Sequence, residues 1–376
     1  MESYRLKSKV SISEKEFLVQ TVNDVRQNSV VSSLFVDGEI LEISRYPHSG
    51  DVSENDIVGL VKDTHDQKKS ELEHLLHLNQ EILNSGDTET MYHLGTAFYY
   101  KRMYEEAVCL LDSLLTIKPK HHQASNCLGL ARMEMGDFDG AVRALAVAVE
   151  LRPAFADYHN NYGEALLEAG FCRRAVEELE TALKKNIYYA DAHFNLGIAY
   201  IVNAISREDF DMYNNLIEKT TDIFNRAVLI TPDFKSSEYE EACELLRSGD
   251  LPRALNLFKA VRNGKRELGR SGSSSFHVRL LLSPERGNET TIDDRIRSLK
   301  AEIDKNPNYV DLRHELALCY LQLSQISWSR AITEFDKAVE INPRLTKSKL
   351  GRERAAKYAE SLKTVVAEIT AGNQND

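Results

Sequence analysis

No stretch of this chain approaches the ~20 consecutive apolar residues of a membrane span. The first twenty residues, MESYRLKSKVSISEKEFLVQ, lack the apolar centre of a secretion signal. Positive charge is in short supply as well: 47 Lys and Arg stand against 58 Asp and Glu, a formal net charge of −11. Nucleic acids and anionic lipid surfaces both need concentrated positive charge, so neither is an expected partner. The expected setting is cytoplasmic. The five cysteines, Cys109, Cys127, Cys172, Cys243 and Cys319, form no C-x-x-C pair, and their odd number and scatter predict free thiols in a reducing compartment.

Catalytic signatures are missing too. His314-Glu315 has no second histidine to complete H-E-x-x-H. Gly264-Lys265 has neither the earlier glycine nor the following Ser or Thr of a phosphate loop, and Gly269 to Ser273 does not keep the G-x-S-x-G spacing. His65, His74 and His77 share a predicted helix, with Glu71 three residues before His74, but the facing carboxylates of a di-iron bundle are not apparent. That helix face is expected to be solvated. The sequence thus predicts no enzyme, no cofactor and no metal.

What is present is a period. Gly95, Gly129, Gly163 and Gly197 stand 34 residues apart, Ala107, Ala141 and Ala175 keep the same step, and so do Pro119 and Pro153. Such a period marks a repeat array whose units bury their apolar faces by stacking on neighbours. The first unit reads Met91-x2-Leu94-Gly95-x2-Phe98, then Ala107-x3-Leu111 and Pro119. The third reads His159-x2-Tyr162-Gly163-x2-Leu166 with Ala175-x3-Leu179, and the fourth His193-x2-Leu196-Gly197-x2-Tyr200. Over roughly three quarters of its length the chain therefore resembles the tetratricopeptide repeat (TPR) family. The resemblance implies a mainly α fold, a right-handed α-α superhelix (solenoid) that binds other proteins.

Regular units are expected over residues 87–232, with an insertion near 204–215. Beyond Pro232 the pattern erodes: residues 233–345 read as degenerate repeats containing a Gly/Ser-rich linker at 264–275. A charged helix and tail, 346–376, would cap the array.

The first 51 residues differ, with four strand-like runs: Tyr4–Ser11, Glu16–Val22, Val30–Val36 and Glu39–Tyr46. Asp37-Gly38 between apolar runs predicts a two-residue hairpin pairing Leu34 with Leu41 and Phe35 with Ile40. Both faces of this small antiparallel β-rich (α+β) module then carry large apolar groups. One face packs under the following helix; the other meets the repeats, a partner, or a second copy in a homo-oligomer. A long connecting helix follows over 52–86, opened by Ser53 and closed by Gly86, with a polar centre expected to be wet.

By the family resemblance, a groove lined by the first helix of each unit holds an extended or helical peptide. It would include Tyr92, Thr96 and Tyr99; Asn126, Leu130 and Met133; Asn160, Asn161 and Glu164; and Phe194, Asn195 and Ile198. Asn161 and Asn195 stand where O-linked GlcNAc-transferase-like arrays place asparagines that bond a peptide backbone. The lysines by which chaperone-tail co-chaperones clamp a terminal carboxylate are missing. Asp157, Glu164 and Asp191 are there instead, so the expected ligand is a neutral or basic protein segment. The leading expectation is a non-catalytic scaffold or adaptor. The alternative is an unrecognised small-ligand or catalytic activity in the N-terminal module, with the repeats recruiting its substrate.

Overall fold

The structure, a computed structural model, describes the backbone of residues 4–12, 15–49, 52–83, 85–206, 216–282, 289–305, 310–343 and 345–371. The chain divides into two compact units, Met1–Asp137 with Ser273–Leu282, and Phe138–Gly272 with Ser283–Asp376.

In the first unit, β1 (Arg5–Ile12), β2 (Lys15–Asp24), β3 (Ser29–Val36) and β4 (Glu39–Pro47) form an antiparallel sheet in chain order. Asp37 and Gly38 both have positive φ, 49° and 86°, the backbone a two-residue hairpin needs. Phe35 pairs with Ile40 as expected, but an irregularity between Leu34 and Phe35 sets Leu34 opposite Glu42 instead of Leu41. Ile40 and Ile43 of this edge strand are about half exposed, at 48% and 50%.

Helix α1 (Glu54–Ile82) starts at Ser53, whose Oγ accepts from the Asp56 amide, and lies across β1, β2 and β3. Val30, Ile57 and Val61 form the buried contact, with Leu6 and Tyr46 at its margin. The polar centre of α1 is wet at Asp66, Gln67 and Ser70, as expected, but not at His65. His65 is only 3% exposed, with Nδ1 3.1 Å from Thr21 Oγ1 and Nε2 2.8 Å from Ser8 Oγ. The sheet meets this stretch with hydroxyls rather than methyls, so polar side chains are buried without loss of hydrogen bonds.

A charged junction follows on the same side. Lys68 Nζ donates to Glu42 Oε1 at 2.9 Å, and Lys101 Nζ reaches Glu42 Oε2 at 2.7 Å and Glu71 Oε1 at 2.5 Å. Burial alone would raise the Glu42 carboxyl; Lys101 and Lys68 override it and hold it well below the usual carboxylate range. These contacts fasten β4 and α1 to the end of α2 (Thr88–Tyr100). Helices α3 (Tyr104–Ile117) and α4 (His122–Glu134) follow, and α3 carries Glu105 and Glu106, each 2.6 Å from Lys15 Nζ at the start of β2.

In the second unit, α5 (Phe138–Leu151), α6 (Ala156–Glu168), α7 (Cys172–Lys185), α8 (Ala190–Ser206) and α9 (Leu216–Ile230) pack each on the next, and α6 also touches α8. Where Ile187 replaces the expected proline, Asn186 makes the bend, its Oδ1 accepting from the Tyr188 amide. A short 3-10 turn, Pro232–Phe234, leads to α10 (Ser237–Ser248) and α11 (Leu251–Leu282). The stretch 264–275, expected as a linker, lies inside α11. Helices α12 (Glu289–Lys305), α13 (Val310–Ile341) and α14 (Thr346–Ala371) complete the chain. Within the degenerate repeats, Val310–Ile341 is the single helix α13, because nothing in Gln325–Arg330 is a helix breaker.

Three of the four periodic glycines sit where paired helices come closest. A Cβ on Gly95 would stand 2.9 Å from Leu111 Cγ, one on Gly163 2.7 Å from Leu179 Cγ, and one on Gly197 2.6 Å from Phe224 Cζ. The first two partners lie 16 residues downstream and the third 27, so the 11 extra residues of the fourth unit fall between contact partners and leave the contact intact. Of that insertion, residues 207–215 lie outside the described part of the chain.

His159 and His193, one repeat apart, close the start of α6 and α8: their Nε2 atoms lie 3.0 and 2.8 Å from the carbonyls of Pro153 and Ile187. Their other nitrogens differ. His159 Nδ1 lies 2.7 Å from Glu178 Oε2, whereas buried His193 Nδ1 has no hydrogen-bond partner among the described residues. Burial lowers both rings' affinity for a proton; Glu178 and the Pro153 carbonyl overturn this at His159, whereas at His193 the Ile187 carbonyl opposes it without prevailing and the Arg226 charge adds to it.

This packing sets the outcome of two measurements. Gly197→Ala should cost about 2 kcal/mol, because fully buried Phe224 cannot yield, while Gly59→Ala, with open space around the added methyl, should stabilise by about 0.5 kcal/mol; chemical denaturation of each variant measures both. NMR titration should place His159 above and His193 below the ordinary 6.5, and Glu178→Gln should bring His159 down. By linkage, the His159 contribution to stability is complete below 6.5 and lost as pH rises through its folded value; that of His193 is complete above 6.5 and lost as pH falls towards its folded value.

Candidate protein-binding groove

The helices of the third and fourth repeats expected to line the groove, α6 and α8, lie side by side in the second unit. Successive turns of α6 carry Asn160, Glu164 and Glu168, and those of α8 carry Asp191 and Asn195. The face is therefore acidic with an amide seam, and Asn195 Nδ2 donates to Asn160 Oδ1 across it at 2.9 Å.

This face is covered by the chain itself. Helix α11 presents Lys259, Arg262 and Lys265 at three-residue steps, a single stripe on its surface. Lys259 Nζ is 2.8 Å from Glu168 Oε2, and Lys265 Nζ is 2.6 Å from Asp191 Oδ1 and 4.1 Å from the Phe234 ring centre. Arg262 sits between them, with Nη1 3.3 Å from Glu164 Oε1 and Nη2 3.1 Å from Glu168 Oε1. Its Nη1 also lies 3.5 Å from Asn195 Oδ1. The Glu164 side chain is 1% exposed and that of Arg262 10%, so this pair is removed from water.

One turn earlier, Phe258 anchors α11 in an aromatic cluster. It stacks on Phe224 at 3.9 Å between ring centres, and Phe194 stacks on Phe234 at 4.3 Å. Edge-on contacts join Phe194 to Phe224 and Tyr239 to Phe258. All four phenylalanines are fully buried.

The residues expected to line the groove fall into three groups. Asn160, Glu164 and Asn195 meet one another or α11, and Asn161 lies beside Asn160, which donates to its Oδ1 at 3.4 Å. Phe194 and Ile198 are fully buried; Phe194 belongs to the aromatic cluster rather than to a ligand-facing surface. The remaining six stand in the first unit on the neighbouring helices α2 and α4. There Tyr92 is half-buried against His121, Thr96 donates to the Tyr92 carbonyl, and Tyr99 is buried among Tyr100 and Tyr104. Asn126 and Leu130 are half-buried and Met133 is buried.

Glu168, Lys259 and Arg262 are not singled out by the sequence pattern. A readable signal is nonetheless present: Glu168 lies one helical turn beyond Glu164, and the basic stripe keeps one spacing. Among the described residues, no group of His, Cys, Asp and Glu could hold a metal ion, and no helix is long and apolar enough to cross a membrane. All five cysteines are free; burial pushes the Cys127 thiol up to about 12, which leaves it unreactive.

Removing Arg262 takes this cation from the buried Glu164 carboxylate, whereas removing the Glu164 charge leaves Arg262 its contact with Glu168. Arg262→Met should therefore cost about 3 kcal/mol and Glu164→Gln less, with the double variant recovering part of the Arg262→Met loss in a double-mutant cycle on denaturation midpoints.

Residues 126–171 and 163–203 match a family model for tetratricopeptide repeats, and the chain carries such repeats, preceded by a sheet that no family model matched. Among solved structures, MamA shares 21% identity over 43% of this chain and 90% of its own, at a TM-score of 0.33. YrrB, "a TPR protein with an unusual peptide-binding site", shares 21% over 47% and 84%, at 0.35. A thermophilic TPR protein of Thermus thermophilus, TTC0263, shares 17% over 62% and 99%, at 0.34. Likenesses this distant carry nothing about function. No curated protein matches the sequence.

Proposed function

We propose that this chain, whose central residues are tetratricopeptide repeats, is a non-catalytic scaffold that holds a basic helical segment of another protein against α6 and α8. Repeats of this family serve protein interaction in general. The finer reading rests on one observation: the acidic face of Glu164, Glu168 and Asp191 already accepts a helix bearing Lys259, Arg262 and Lys265. A surface that satisfies a basic helix in cis has the charge, spacing and hydrogen-bonding groups to satisfy one in trans. A terminal carboxylate would meet three carboxylates there and be repelled.

The rival reading, a small-ligand or catalytic activity in the N-terminal module, has less to support it. The enclosed space beside Glu42, Lys68, Glu71 and Lys101 measures ≈ 20 Å³, room for a single water.

Panning a displayed library of helical peptides against the full chain tests the proposal without a named partner. Enriched sequences should carry Lys or Arg at three-residue steps, and Glu168→Lys with Asp191→Lys should abolish the enrichment. Enrichment of acidic or carboxylate-terminal peptides would sink the reading.

A further inference from the structure

The contacts of α11 change character along its length. Up to Val261 the helix is fixed by apolar burial: Ala254 and Phe258 are fully enclosed and Val261 nearly so. From Lys259 on the described polar contacts are charged: the Arg262–Glu164 pair is desolvated, and the flanking pairs, Lys259 with Glu168 and Lys265 with Asp191, keep partial contact with water. Ion pairs that keep contact with water contribute little and exchange readily for equivalent ones, and the buried Arg262–Glu164 pair opens only when another cation takes the place of Arg262. Gly264 interrupts the charged stretch with no close packing to explain it, since a Cβ there would meet nothing within 4 Å. A helical glycine without a packing reason lowers the local preference for helix just past Arg262.

From this we infer that α11 beyond Phe258 is a built-in competitor, a charged latch that keeps the acidic face of α6 and α8 closed until a basic helix of a partner displaces it. The inference rests on the groove reading above and adds its regulation. Phe258 stays in its aromatic cluster while Lys259, Arg262 and Lys265 exchange their carboxylates for nothing but water. The incoming helix supplies cations to the same three acids, so no carboxylate is left buried and unpaired. Coupling comes from this shared use of Glu164, Glu168 and Asp191: one helix or the other occupies them.

The test uses the full chain with Lys259→Glu, Arg262→Glu and Lys265→Glu together. The probe is a fluorescent peptide of residues 259–270, read by anisotropy, with hydrogen exchange followed on the protein. The peptide should bind the variant at least about ten-fold more tightly than the unaltered chain, while amides at 259–265 exchange at least about ten-fold faster and those of α5 to α7 keep their protection. Gly264→Pro, which breaks the helix but leaves every charge in place, runs in parallel and should show the same direction of change, so the answer does not hang on one variant's folding. Equal binding to altered and unaltered chains would overturn the latch and leave the groove reading standing. Faster exchange in α11 with peptide binding to neither would overturn the groove reading, and the latch with it.

Discussion

A charge taken out of water must be met by another at close range, and both units of this protein are arranged around that requirement. In the first, half-buried Glu42 is held as a carboxylate by Lys68 and Lys101. The β-irregularity after Leu34 sets Glu42 opposite Leu34, so a one-residue detail of strand pairing decides how sheet and repeats are joined. In the second, Arg262 can lie within the helical assembly only because Glu164, Glu168 and Asn195 converge on it. Hydrophobic burial supplies most of the cohesion in each unit, as in any folded domain. The paired charges select which surfaces meet.

The repeat architecture was legible because the physical cause is local and recurs. A glycine is needed wherever two helices of a hairpin approach within a side chain's width, and Gly95, Gly163 and Gly197 each face a bulky residue of the next helix. The β-rich start was legible for similar reasons, since Asp37-Gly38 fixes its turn by backbone geometry alone. Other features were hidden because they depend on what lies far away in the chain. His65 and Lys68 look like members of a solvated face until the sheet supplies Thr21, Ser8 and Glu42. Composition around Ser271 suggests a linker, whereas the chain is helical there as a continuation of a helix already anchored by Phe258.

The candidate groove shows the same division between local and distant information. The positions of Asn160, Glu164 and Asn195 on their helices follow from the 34-residue period. Their engagement follows from α11, roughly two to three repeats downstream, whose basic stripe has no signature apart from its spacing. Phe194 departs from expectation for a related reason. The family pattern assigns it to the ligand side, but three aromatic residues contributed by α9, the 3-10 turn and α11 enclose it.

The connecting helix has a mechanical consequence. With 29 residues, α1 extends about 43 Å, and it is clamped near its middle to the sheet through His65 and Lys68 and to α2 through Glu71 and Lys101. A load applied to the N-terminal sheet would be carried by side chains in shear rather than by a slack tether. Whatever is attached to the sheet is thereby held directly against the first repeat, and tension on it is transmitted to that repeat instead of being absorbed.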